Sequence, residues 1–195
     1  MRDFLSSRRT RREIVSFLVL VSVGAALRVA LADLPNFAPV AALALFSGYF
    51  FRSRLVAMAV PLSVMAVSDL VIGGYAWQMM MLVYGMLAFP VALRSPLRRY
   101  LALRPERPIV GPVLGLVTCS LGAALAFFLV TNFGAWIWFD TYQPGWAGLW
   151  QSYVAAVPFF RYTLLGDLLF GTMLFGSYAV IVHAGWIPDP AAEPA

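Results

Sequence analysis

A series of apolar runs, most of them about as long as a bilayer is thick, constrains this chain more than any other feature. Six can be marked, at about 14–33, 36–51, 54–73, 76–94, 109–131 and 162–184. A helix needs about 20 apolar residues to cross roughly 30 Å of hydrocarbon. A helix in lipid also satisfies its own backbone hydrogen bonds, which an open sheet cannot do. The runs predict an all-α membrane protein, a six-helix transmembrane bundle forming a single domain over residues 1–195. With 62% of residues hydrophobic and 12% charged, little remains for soluble mass. The 36–51 segment is short for a span, and Pro35 and Pro39 set it off from the run before it.

All 14 basic residues are Arg, and the net charge is +5. Most of them sit in the breaks between apolar runs, where charge sets membrane topology, so nucleic acid is not an expected partner. Arg2, Arg8, Arg9, Arg11 and Arg12 precede the first run. Arg52 and Arg54 follow the second, and Arg94, Arg98, Arg99, Arg104 and Arg107 follow the fourth. Six alternating spans put these 12 of 14 on one side, which predicts both termini in the cytoplasm. The clusters can also touch anionic headgroups, so the lipid bilayer is the first partner implied. Ala30-Leu31-Ala32 resembles a signal-peptide cleavage site, but the run before it is long for a signal and contains Arg28, which favours a retained span.

The rare polar residues of the spans fall in one layer. At 1.5 Å per residue, Arg28 lies about 7 Å and Asp69 about 6 Å below the outer ends of their runs. Asn36 opens the second run, Asn132 closes the fifth, and Arg161 and Asp167 stand at the start of the sixth. Ionisable groups in a span are costly and are paired or functional. Residues 135–160, with Trp136, Trp138, Trp146 and Trp150, predict an outer aromatic loop at headgroup level. Two readings follow. One is structural, with Arg28 neutralised by Asp69 or Asp167. The other is an outward pocket for a small molecule, with Arg28, Asn36, Asp69, Asn132, Arg161 and Asp167 as polar contacts and Trp136, Trp138 or Trp146 stacking above. Ala26 and Ala30 have the small-xxx-small spacing that lets helices approach closely.

Catalytic motifs are absent from the sequence: it has no Ser-His-Asp set, no His pair and no phosphate-binding glycine loop. Cys119 and His183 are the sole residues of their kinds and suggest no metal site, and no cofactor is expected. An intramembrane enzyme using Asp69 and Asp167 is the remaining catalytic possibility.

The runs 36–46 (NFAPVAALALF), Ser68-Asp69-Leu70, 130–134 (VTNFG), Pro158-Phe159-Phe160 and 164–170 (LLGDLLF) resemble those of an uncharacterised bacterial membrane-protein family over nearly the whole chain. Tyr162 stands where the last motif of that family usually has Asn. The resemblance implies a bacterial inner membrane and no particular activity. The plan of the chain is also similar to the substrate-binding S components of energy-coupling factor (ECF) transporters, in size, span number and the Ala26–Ala30 pattern. That similarity implies a vitamin-like or micronutrient-like substrate bound near the outer face. It also implies docking of Ala26 and Ala30 on a membrane-coupling subunit, and separate ATPases. The N-terminal Met-His pattern of the nickel and cobalt members is missing, which argues against a metal substrate. The leading expectation is a small-molecule-binding importer subunit. The alternative is a structural or accessory membrane protein.

Overall fold

The apolar runs are helical in the computed structural model, which describes residues 2–100 and 110–186. In chain order the helices are α1 (Arg2–Ala30), α2 (Val40–Phe50), α3 (Arg54–Ile72), α4 (Trp77–Ala88), α5 (Arg94–Tyr100), α6 (Val110–Trp138) and α7 (Trp146–His183). A 3-10 turn, Phe89–Leu93, joins α4 to α5, so that Trp77–Arg99 acts as one apolar stretch. Together with Thr10–Ala30, Arg54–Ile72, Val110–Trp138 and Trp146–His183, it makes five helices long and apolar enough to cross a membrane. The protein is an all-helical, multi-pass membrane protein among its described residues. Arg104, Arg107 and the acidic tail with Asp189 and Glu193 lie outside them.

The second expected span behaves differently from the rest. α2 has 11 residues, a length of about 16 Å, roughly half the hydrocarbon thickness. Every residue from Val40 to Phe51 is buried. A helix that is apolar all round belongs in an interior, and α2 packs against α1, α3, α4, α5, α6 and α7. Its aromatic side chains build the core: Phe46 meets Phe175 with ring centres 5.3 Å apart and Tyr178 at 5.6 Å, and Tyr49 meets Phe175 at 5.6 Å.

The open carbonyls at the C-terminal end of α2 are satisfied by Arg side chains. Arg98 donates from Nη2 to the Tyr49 carbonyl at 2.7 Å and to the Phe51 carbonyl at 3.0 Å, and Arg94 donates to the Arg52 carbonyl at 3.1 Å. A cation at a helix C-terminus also complements the helix dipole. Two members of the expected cytoplasmic Arg cluster thus cap the central helix. Ser47, fully buried, donates to the Ala57 carbonyl at 2.9 Å and ties α2 to α3.

The expected outer aromatic loop at 135–160 is corrected by the structure. α6 continues to Trp138 and α7 begins at Trp146, which leaves only residues 139–145 as a connection. Tertiary contacts override the loop-like composition. The Tyr153 hydroxyl donates to the Leu129 carbonyl, Ser152 donates to the Asn132 carbonyl at 3.4 Å, and Phe128 packs against both Tyr153 and Phe160. These hold the first turns of α7 along α6. Pro158 lies inside α7 without ending it. At 38 residues, about 57 Å, α7 is longer than the hydrocarbon layer, so it extends beyond that layer.

Candidate functional site

At the end of the bundle where α1 and α3 finish and α2 and α7 pass, the helices leave a cavity of about 330 Å³. Its wall is mostly apolar, with Leu31, Met65, Leu87, Ala123 and Ala124, and it carries the aromatic residues Phe37, Tyr75 and Phe127. Its polar members are Arg28, Asn36, Thr163 and Asp167. A second cavity of about 200 Å³ adjoins it, sharing Asn36, Val83, Phe127 and Thr163 and reaching Thr131 and Asn132.

Several local features position these groups. Asn36 adopts the left-handed conformation, φ 60°, which Asn tolerates better than most residues, and so turns the chain from α1 into α2. Gly166 lets α7 close on that turn: a Cβ there would stand 3.4 Å from the Ala38 backbone nitrogen and from the Phe37 ring. Asp167 follows directly in α7 and is 2% exposed.

The two acids of the spans have opposite surroundings. Asp69 is fully engaged, with Oδ1 2.5 Å from Arg28 Nη1 and Oδ2 accepting from the Tyr84 hydroxyl at 2.5 Å. Arg28 Nη1 also donates to Ser68 Oγ, which donates in turn to the Val64 carbonyl. This network links α1, α3 and α4. It assigns Arg28 to Asp69, of the two partners that the sequence left open. Asp167, by contrast, has an Oδ2 buried without a hydrogen-bond partner among the described residues. Burial, reinforced by the Asp69 charge and partly offset by Arg28, pushes the Tyr75 phenol up, so Tyr75 is a neutral donor on the cavity wall at physiological pH.

The expected polar layer is largely assembled. Arg28, Asn36 and Asp167 line the larger cavity, Asn36 and Asn132 line the smaller one, and Asp69 adjoins through Arg28. Asn132 Nδ2 donates to the Phe128 carbonyl one turn back. The expected aromatic roof is not there. Trp136, Trp138 and Trp146 line neither cavity, nor does Arg161, whose side chain is exposed. Trp136 donates instead to the Gln143 carbonyl, and Trp146 is 86% exposed. Once 146–160 is helical, these side chains do not fold over the cavity: Trp138 and Trp146 are exposed, and Trp136 is half-buried against Phe133. Sequence reasoning missed Tyr75, Tyr84, Thr163 and Phe37, whose residue types carry no signal of depth or pairing. Ala26 and Ala30 are exposed on α1, while Gly24 and Ala25 beside them are buried. His183 bonds to the Ala179 carbonyl, and no group of three potential metal ligands occurs among the described residues.

Fold and site together define a multi-pass helical membrane protein with a polar-lined cavity toward one end of the bundle. A family model matches residues 8–188, and the chain belongs to that family, DUF6580, a family of unknown function. No curated protein and no solved structure matches the chain.

Proposed function

We propose that this protein is a small-molecule-binding membrane subunit of an importer, similar in plan to the S components of ECF transporters. The observation that carries this reading is the cavity of about 330 Å³ with Asp167 among its lining residues, an acid whose buried Oδ2 has no hydrogen-bond partner among the described residues. Apolar cavities of ~300–1,000 Å³ with a few convergent polar groups are the usual form of a small-ligand site. Arg28, Asn36 and Asp167 contribute the polar contacts, with Phe37, Tyr75 and Phe127 packing on the ligand. Ala26 and Ala30, small and exposed on α1, offer a close-packing face to a membrane-coupling subunit. The Arg distribution supports a bacterial inner-membrane location with both termini cytoplasmic and the cavity toward the outer face.

Native purification of the tagged protein in mild detergent tests this. We expect a second membrane subunit with ATPases, and a bound small molecule in the mass spectrum. Recovery of the bare chain, with neither, would end the importer reading.

The Arg28–Asp69–Tyr84 network favours a second reading, a structural or accessory membrane protein whose polar residues serve packing. That reading predicts that Asp167→Asn lowers folding yield and changes no ligand binding. An intramembrane aspartyl enzyme gains little support, because Asp69 is bonded through both oxygens and does not line the cavity that Asp167 does.

A further inference from the structure

We propose that the occupant of the larger cavity is a small organic cation, a protonated amine, with Asp167 as its counter-ion. This rests on the small-molecule reading above and names the ligand class.

The argument is one of charge balance. Arg28 and Asp167 are the charged residues on the cavity wall among those described. The Arg28 charge is already matched by Asp69, Nη1 to Oδ1 at 2.5 Å, with Ser68 bonding the same nitrogen. Asp167 has no such match: it is 2% exposed and its Oδ2 has no hydrogen-bond partner among the described residues. The N-terminal end of α2 lies on the same wall, but a helix dipole offers only about half an elementary charge. A full positive charge on the ligand completes the site.

Other ligand classes fit less well. An anion would compete with Asp69 for Arg28 and meet Asp167 as a like charge. A divalent metal wants six or more oxygen ligands, or three or four nitrogen and sulfur ligands, and no group of three potential protein ligands is present among the described residues. A neutral molecule leaves the Asp167 carboxyl to take up a proton and offers it hydrogen bonds alone, whereas a cation holds it ionised and adds the attraction of opposite charges. The rest of the cavity suits the body of an amine. Phe37, Tyr75 and Phe127 supply aromatic surface, to which cations are attracted, and Met65 and Leu87 supply aliphatic surface. The volume, near the small end for ligand sites, restricts the skeleton to one or two rings.

The full chain in lipid nanodiscs is titrated with phenethylamine, cyclohexylmethylamine and tryptamine, and with the alcohol and carboxylate of each skeleton, by calorimetry. We expect at least one amine to bind at least about tenfold more tightly than its alcohol, a gap of about 1.4 kcal/mol, and its carboxylate to bind more weakly still. The isosteric Asp167→Asn is expected to erase that preference. Alcohols or carboxylates binding as tightly as the amines overturn the cation assignment and leave the small-molecule reading standing. Binding by none of the compounds overturns both. Unchanged amine preference in a folded Asp167→Asn protein overturns the role of Asp167. If that variant does not fold, the comparison of ligands on the unaltered protein decides.

Discussion

Arg28 and Asp69 show how a charge is tolerated inside a membrane helix. The pair sits across α1 and α3, the side chains are 16% and 7% exposed, and Tyr84 closes the remaining carboxylate oxygen from α4. Removing one member of a buried pair leaves the other uncompensated, which typically costs about 3–5 kcal/mol, whereas replacing both with apolar groups of similar volume is often near neutral. Asp69→Ala is therefore expected to destabilise the protein by about 3–5 kcal/mol, and Arg28→Met with Asp69→Leu to recover most of that loss, as read by denaturant unfolding in detergent. A double variant as unstable as the sum of its parts would show that the pair is not the source. Sequence made this layer legible because an ionisable residue in an apolar run is rare and its depth can be counted. The choice between Asp69 and Asp167 was not legible, because the partners of Arg28 lie 40 and 41 residues away and are fixed by helix packing. The Trp residues misled for a related reason: an interfacial preference holds equally for a loop and for the projecting end of a helix.

At the scale of the element, α2 depends on close approach. A Cβ on Gly48 would stand 3.2 Å from the Val91 Cα and 3.4 Å from the Val91 carbonyl oxygen in the 3-10 turn, and backbone cannot yield as a side-chain tip can. Gly48→Ala is expected to cost about 1–3 kcal/mol as overpacking. Gly122→Ala in α6, where nothing stands within 4 Å of the added carbon, is expected to be neutral or stabilising by up to about 1 kcal/mol. Thermal denaturation of the two variants in the same detergent compares them, and equal effects would remove the packing argument. The apolar runs marked where most of the helices lie, since a long apolar run in lipid is helical. They did not reveal that Arg94 and Arg98 reach back more than 40 residues to cap α2, because Arg in a loop reads first as topology. The continuation of α7 through Pro158 was hidden too, because the contacts that hold it come from α6.

For the whole molecule, the bundle divides into a tightly packed aromatic core around the lower part of α2 and a looser, polar-lined region around its N-terminal end. The all-helical class and the gathering of rare polar residues were readable from spacing. The cavity itself was not, because a void is a property of how surfaces fail to meet. The length and burial of α2 bear on how the chain enters the membrane at all. Its 11 residues, about 16 Å, are too few to span the hydrocarbon alone, and its final neighbours include α6 and α7, synthesised long after it. In a chain truncated after Arg52, a cysteine introduced at Ala42 is expected to react freely with a membrane-impermeant thiol reagent, and in the full chain to be protected; equal protection in both would refute this. The order in which segments leave the ribosome is then not the order in which they settle in lipid: α2 waits at the surface until its later neighbours form a protein-lined place for it.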